Sequence, residues 1–326
     1  MVSDQYGRTI HYLRVSLTDA CNLRCVYCMP EHMTFRPGTA LLQDDELVTL
    51  IGLFAELGFD KIRFTGGEPT LRRNLVELVR VVAAMPGVKS VSMTTNGILL
   101  DHLARPLREA GMDRVNVSID TLDESRFRQI TRWGNLRDVL AGLEAAEQAG
   151  MRIKLNCVPV RGYNDNGDVA ALARLTMDRP WQVRFIEMMP LGGVTSFQQE
   201  RSIHETTLHS FIASALGPLE PVNDGQLDGE ARVYRLQNAR GSIGFISSVS
   251  NPFCASCNRA RLTADGVLRM CLLREKEMDL RKPLRAGWSR ERLKALMIES
   301  IHLKPWGHGL ADNQVATNRT MSEIGG

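Results

Sequence analysis

Cys21-Asn22-Leu23-Arg24-Cys25-Val26-Tyr27-Cys28 sets three cysteines at C-x3-C-x2-C spacing, directly after an apolar, strand-like run. Three thiolates gathered so closely make a metal site. A structural zinc site closes with four ligands, usually from paired C-x2-4-C or H-x3-5-H elements, and nothing near this triplet offers a fourth. An iron–sulfur cluster is held by cysteine thiolates, and a four-iron cluster given only three leaves one iron free for a small ligand. The blander reading is three cysteines packed as small hydrophobes. Asn22 and Arg24, between the thiols, argue against a purely apolar pocket.

Working outward, residues 12–17 alternate, with Leu13, Val15 and Leu17 on one face and Tyr12, Arg14 and Ser16 on the other, as a strand does. Residues 44–57 carry Leu47, Leu50, Ile51, Phe54 and Leu57 at helical spacing, and Gly58 stands where a helix C-cap would. Strands at 61–64, 90–94, 114–118, 152–158 and 182–186 then alternate with helices at 71–85, 101–110, 136–149 and 168–177. That alternation means a parallel sheet with right-handed crossovers. About six βα units are fewer than the eight of a closed barrel, so the fold class expected is α/β, a partial (β/α)6 TIM-type barrel. Chemistry in such barrels sits at the C-terminal ends of the strands. The cysteine loop, Thr65-Gly66-Gly67-Glu68-Pro69, Thr94-Thr95-Asn96-Gly97 and Ser118-Ile119-Asp120 all fall there.

After Pro190 the pattern changes, and the expected division is a barrel over 1–190, a C-terminal α+β region over 191–303 and a tail over 304–326. Residues 191–200 read as a polar loop able to cover the barrel mouth, 202–216 as a helix, 225–230 as a turn, 233–236 with 242–246 as a hairpin, and 290–300 as a helix. The tail has few large apolar residues and by composition alone reads as disordered. Cys254-Ala255-Ser256-Cys257 with Cys271 forms a second group of three, C-x2-C-x13-C. Zinc would need a distant fourth ligand there, for which His204, His209, His302 and His308 are formal candidates. Arg259 and Arg261, two apart on an extended segment, share a face and suggest an anionic ligand beside a cluster.

Composition agrees with a globular protein. The 326 residues are 44% hydrophobic and 24% charged, and no apolar run approaches the ~20 residues of a membrane span. The polar first residues lack the apolar core of a signal peptide, so a cytoplasmic protein is expected. Seven cysteines fall into two triplets plus a lone Cys157, a pattern of metal chemistry rather than of disulfides. A net charge of +3 with 6% aromatic residues does not imply nucleic acid.

The first triplet with Thr65-Gly66-Gly67-Glu68-Pro69 resembles the radical S-adenosylmethionine superfamily. That resemblance implies a [4Fe–4S] cluster whose open iron is chelated by the amino and carboxylate groups of S-adenosyl-L-methionine, with one-electron cleavage of the sulfonium to a 5′-deoxyadenosyl radical. Arg14-x-Ser16-x-Thr18-x-x-Cys21, Cys254-x2-Cys257-Asn258-Arg259-x-Arg261, Cys271 and the terminal Gly325-Gly326 narrow it: the sequence is similar to the GTP 3′,8-cyclase family of molybdenum cofactor biosynthesis. The resemblance implies two [4Fe–4S] clusters, one on Cys21, Cys25 and Cys28, the other on Cys254, Cys257 and Cys271. The second lies across the barrel mouth with its open iron on the guanine of GTP. It implies hydrogen abstraction from ribose C3′ and attack on guanine C8, giving (8S)-3′,8-cyclo-7,8-dihydroguanosine 5′-triphosphate. Arg14, Arg63, Thr94, Lys154, Arg259 and Arg261 match GTP-binding positions. Tyr27, Gly67, Ser118 and Met189 match positions touching S-adenosylmethionine, and Gly325 and Gly326 match a tail that reaches into the active site. An electron donor, a downstream cyclic pyranopterin monophosphate synthase and a homodimer are implied as partners.

The residues offer an anion site on their own terms. Arg14 on the first strand, Lys61 and Arg63 on the second, and Lys154 and Arg184 on later ones oppose the apolar face; burying them together is costly without an anion. The plainer expectation is that some pair with Glu68, Asp120 or Glu187, Arg184 above all. Two other readings compete. A radical S-adenosylmethionine peptide maturase with an auxiliary cluster leaves the paired arginines and the glycine tail unexplained, and a zinc-stabilised nucleic-acid-binding module lacks the basic, aromatic-rich surface for single strands.

Overall fold

The computed structural model describes residues 2–165, 167–192, 195–222, 224, 226–310 and 315–325. A short ribbon of β1 (Val2–Ser3) and β2 (Thr9–Ile10) leads into the barrel. There β3 (Tyr12–Ser16), α1 (Asp44–Glu56), β4 (Lys61–Thr65), α2 (Leu75–Ala83), β5 (Ser90–Thr95), α3 (Leu100–Glu109) and β6 (Arg114–Ser118) follow one another. Then come α4 (Glu124–Thr131), α5 (Leu136–Gln148), β7 (Arg152–Cys157), α6 (Asp168–Asp178) and β8 (Gln182–Ile186). β3 to β8 pair in parallel and in chain order. One face buries Leu13, Ile62, Phe64, Met93, Val115, Leu155 and Val183 in the main core. Arg14, Arg63, Asn156 and Arg184, of the other parity, line a cavity inside the barrel. α1 shows why these helices start where they do: three acids occupy its first turn, and Gln43 and Glu46 form a reciprocal capping box.

Beyond β8 come α7 (Thr195–Arg201), α8 (Glu205–Leu216), β9 (Leu219–Pro221), β10 (Leu227–Asp228), β11 (Ala231–Leu236), β12 (Ser242–Ile246), β13 (Arg259–Leu262), β14 (Val267–Arg269) and β15 (Glu277–Asp279). The last helices are α9 (Arg281–Arg285), α10 (Arg290–His302) and α11 (Met321–Ile324). β11 and β12 form the expected antiparallel hairpin. β12 also pairs in parallel with β8, Ile243 opposite Val183, and β13 pairs in parallel with β3, Arg261 opposite Arg14. The parallel run is therefore β12-β8-β7-β6-β5-β4-β3-β13, extended at both margins by strands from the C-terminal region. The described pairings form an open path from β10 to β15, so residues 247–258 cross from one margin of the barrel to the other.

Two expectations are corrected, and one element is added. Residues 195–201 are helical rather than loop, with Gln198 buried. α4 was not apparent in the sequence because one short helix with only Phe127 and Ile130 as large apolar residues gives too brief a period. Residues 315–325 are docked rather than disordered: Ala316 and Ile324 pack with Leu191 and Leu273. Arg319 meets Asp265 through two bonds of 3.0 Å and Glu277 through bonds of 2.6 and 3.1 Å. Ion pairs and the Thr320–Glu323 capping box substitute for apolar bulk.

Candidate active site at the barrel mouth

Glu68 organises the strand ends. It is 1% exposed. One carboxylate oxygen accepts from Thr70 N at 3.0 Å, Thr70 Oγ1 at 2.6 Å and Thr95 Oγ1 at 2.7 Å, and the other from Asn96 N at 2.7 Å. Its own N–H donates to Ala20 O at 2.8 Å and that of Gly67 to Thr18 O at 2.7 Å, while Asn96 Nδ2 donates to Asn22 Oδ1 at 2.7 Å. The cysteine loop thus lies directly on the β4 turn. A Cβ on Gly67 would meet Ala20 O at 2.3 Å and Asp19 O at 2.4 Å, so only glycine permits that approach. Arg24 braces the loop from within, donating to Cys21 O at 2.7 Å and stacking on Trp133 and Phe35.

Cys21, Cys25, Cys28, Cys254, Cys257 and Cys271 are free thiols, half-buried, and all line one cavity. Burial pushes Cys21 up to about 11 and Cys28 up to about 12, with the neighbouring thiols and Asp120 adding to the rise at Cys28 and Cys25. Thiols crowded in a site of low polarity keep their protons until a cation replaces them, and this donor set fits a cluster. In the second group burial likewise raises Cys257, but Arg259 and Lys304 more than offset it and bring the thiol down to about 6. Lys304 also donates to the carbonyls of Arg259 (2.8 Å) and Met270, holding that segment. Among the described residues no three His, Cys, Asp or Glu side chains converge on a single ion. A four-iron cluster asks for wider spacing, since each thiolate binds a different iron.

Tyr27, Gly67, Ser118 and Met189 line the same cavity. Tyr27 donates to Asp120 Oδ2 at 2.8 Å, and Asp120 Oδ1 accepts from Val158 N at 2.8 Å. Burial raises Asp120 to about 6. Gln198, in the helix absent from the sequence reading, donates to the carbonyl of Tyr27 at 3.1 Å and so holds the cysteine loop from above. Cys157 is packed in β7.

Arg14, Arg63, Thr94, Arg259 and Arg261 also line the cavity, joined by Arg184. Lys154 stands apart from the lining, its Nζ 3.4 Å from Asp228, and Lys61 is exposed at the start of β4 rather than buried with Arg63. Arg184 is held by Asn156 Oδ1 at 2.6 and 3.0 Å and Asn116 Oδ1 at 3.1 Å. Among the described residues the expected carboxylates have other partners. Glu68 and Asp120 are occupied as described, and Glu187 accepts from Val249 N at 2.8 Å and Ser250 N at 2.9 Å. A carboxylate that does stand among the arginines, within the described residues, is Glu230, 3.3 Å from Arg14, 3.6 Å from Arg184 and 3.9 Å from Arg63. Only the turn at 225–230 was legible, not what it faces. Gly325 is buried at φ +87°, and its carbonyl accepts from Arg261 at 3.1 Å. Gly326 lies outside the described residues.

The Radical SAM superfamily profile matches residues 15–175, and that of Molybdenum Cofactor Synthesis C matches 181–310. The GTP 3′,8-cyclases of Pelotomaculum thermopropionicum and Moorella thermoacetica are 46% and 45% identical, each over 100% of both chains. That of Pseudomonas putida strain W619 is 43% identical over 99% of this chain and 97% of its own. Among solved structures, Streptococcus suis SuiB bound to S-adenosylmethionine superposes with a TM-score of 0.57 at 11% identity, over 93% of this chain and 66% of its own. Methylornithine synthase superposes at 0.50 and 18% identity, over 66% and 65%. Those two likenesses are of fold alone, whereas identity above 40% along the whole length carries further: the chain belongs to the GTP 3′,8-cyclase family of the radical S-adenosylmethionine superfamily.

Proposed function

We propose that the chain converts GTP to (8S)-3′,8-cyclo-7,8-dihydroguanosine 5′-triphosphate, using S-adenosyl-L-methionine and two [4Fe–4S] clusters. The observation that carries this reading is the single cavity onto which both cysteine triplets and five arginines open. Cys21, Cys25 and Cys28 would hold the first cluster, and Cys254, Cys257 and Cys271 the second. When bound, the first cluster supplies the electron that cleaves the sulfonium of S-adenosylmethionine to a 5′-deoxyadenosyl radical. The chain itself binds and orients. Tyr27, Gly67, Ser118 and Met189 border S-adenosylmethionine, with Asp120 fixing the Tyr27 hydroxyl rather than moving a proton, since hydrogen-atom abstraction needs neither acid nor base. Arg14, Arg63, Thr94, Lys154, Arg259 and Arg261 take the nucleotide, guanidinium groups being suited to bidentate contact with phosphate oxygens. Arg261 donates to the carbonyl of Gly325, which puts that glycine beside the same cations.

The reaction needs an electron donor, and its product is the substrate of a cyclic pyranopterin monophosphate synthase. Among the described residues no helix is long and apolar enough to cross a membrane. On the family resemblance, we propose a cytoplasmic homodimer. Anaerobic incubation of the reconstituted protein with GTP, S-adenosylmethionine and dithionite tests the proposal. Both 5′-deoxyadenosine and a cyclised nucleotide are expected, each dependent on GTP. Formation of 5′-deoxyadenosine with GTP recovered unchanged overturns the substrate assignment.

A further inference from the structure

Gly229 and Glu230 form the two-residue turn between β10 and β11, in which Asp228 is opposite Ala231. Gly229 takes φ +67° at the first central position, as tight hairpin turns require. The turn delivers the Glu230 carboxylate, 12% exposed, to Arg14, Arg63 and Arg184. Asp228 reaches Lys154 beside it. These are cations the family resemblance assigns to GTP, together with Arg184. A barrel interior holding three guanidiniums requires negative charge, because removing one member of a buried ionic group leaves the rest uncompensated. Burial and the adjoining arginines press Arg14 and Arg184 down to about 10, while the same arginines, with Arg259, hold Glu230 well below the usual carboxylate range against its burial.

We propose that Glu230 is the stand-in anion of the phosphate cradle: it pairs with Arg14, Arg63 and Arg184 while the site lacks nucleotide, leaves as the phosphates enter, and by competing with them sets how much affinity they contribute. A triphosphate brings several negative charges and oxygens enough for each guanidinium, so the exchange favours the nucleotide. The hairpin is built to yield. β10 is only two residues long and pairs with β11 through Leu227–Arg232 and Asp228–Ala231, and Asp228 and Gly229 are already exposed. An unphosphorylated nucleoside has nothing to displace Glu230 and gains nothing from its departure.

This proposal rests on the GTP reading, and the test separates the two. Anaerobically reconstituted wild type and Glu230→Gln are titrated calorimetrically with GTP and with guanosine, and their melting is followed with and without inorganic tripolyphosphate. Since apparent affinity scales with the fraction of protein in the competent state, Glu230→Gln is expected to bind GTP about tenfold tighter or more, with guanosine unchanged. Without ligand the variant melts earlier than wild type, and tripolyphosphate raises its melting temperature by more than it raises that of wild type. Unchanged or weaker GTP binding by a variant that responds to tripolyphosphate no more than wild type overturns the proposal. If the variant folds only with tripolyphosphate present, the stand-in role is supported; if tripolyphosphate does not rescue it, the role fails. Should GTP bind neither protein while tripolyphosphate still favours the variant, the cradle stands and the nucleotide assignment falls.

Discussion

Gly325→Ala tests whether the C-terminal tail is seated by the geometry of one residue. Gly325 ends α11 at φ +87° and ψ +50°, where alanine costs roughly 1–2 kcal/mol. The added Cβ would lie 2.8 Å from both Ser16 Cβ and Thr65 Oγ1, well inside the roughly 3.5 Å at which such atoms rest. Neither neighbour can swing aside. Ser16 Cβ is fixed to β3, and Thr65 is β-branched on β4 with its hydroxyl 3.4 Å from Val15 O. The glycine must therefore lift, and lifting breaks the bond from Arg261, worth about 1.5–3 kcal/mol as a hydrogen bond to a charged group.

Opposing this are Ile324 in its small cluster and the Arg319 pairs with Asp265 and Glu277, which hold the segment further back. Allowing them to retain the upstream part, a net loss of about 2–3 kcal/mol raises the undocked fraction roughly 30- to 150-fold, each 1.4 kcal/mol being a factor of ten. Hydrogen–deuterium exchange of the amides at 324 and 325, which donate to Thr320 O and Met321 O in the docked tail, reports that fraction when read by mass spectrometry. Wild type should exchange slowly, and Gly325→Ala at least tenfold faster, by the same conversion. Gly287→Ala, at φ +72° with nothing within 4 Å of the new Cβ, carries the backbone strain without the collision and should leave the tail protected. Equal protection in Gly325→Ala and wild type would refute the steric account. Loss of protection in Gly287→Ala would refute its location.

Gly67→Ala should prevent the first cysteine loop from seating, because its Cβ would strike backbone carbonyls, so iron after reconstitution should fall from about eight to about four per chain as one of two four-iron clusters is lost. Glu68→Gln should destabilise the iron-free protein by about 1–3 kcal/mol in urea unfolding, since the amide keeps one accepting oxygen, which cannot serve both Thr70 and Asn96, and its NH2 group faces a buried donor left without a partner. Burial, with Arg184 adding, lowers the Lys154 ammonium to about 8. Phosphate favours its charged form, so GTP affinity should be level below that pH and fall above it as binding takes up a proton; calorimetry in buffers of different ionisation enthalpy measures the uptake, and Lys154→Arg should abolish the fall.

The barrel was legible where each strand has two unlike faces. Leu13 and Val15 against Arg14, or Ile62 and Phe64 against Arg63, announce both the strand and the side on which the cations lie. Glycines at 58, 111 and 150 marked the helix ends, and all three take positive φ. Pairing partners were not legible, because alternation identifies a strand without saying what lies beside it. β12 reads as a hairpin arm and is one, yet its other edge belongs to β8. Glu230 escaped for a related reason: an acidic turn is ordinary until the fold sets it beside residues 14, 63 and 184. The tail escaped because composition counts apolar residues, whereas Arg319 is anchored by carboxylates contributed by two other segments.

The position of the second cysteine group follows from the incompleteness of the barrel. Six parallel strands leave β3 and β8 each with a row of unpaired backbone groups, a liability that folds cover or pair. β12 pairs with β8, and β13 pairs with β3. Because these two strands are successive in the chain, residues 247–258 have to cross the opening between the margins, and Cys254 and Cys257 lie in that crossing. Glu187, just past the end of β8, takes the N–H groups of Val249 and Ser250 and fixes where the crossing begins; Lys304 binds the carbonyl of Arg259 and fixes where it ends. Arg261 then falls opposite Arg14 by register, so the arginines proposed to take phosphate and the second triplet share one support. A substitution that loosens β13 from β3 must disturb both together, whereas one at the Gly229–Glu230 turn can alter the cradle and leave the cysteines in place.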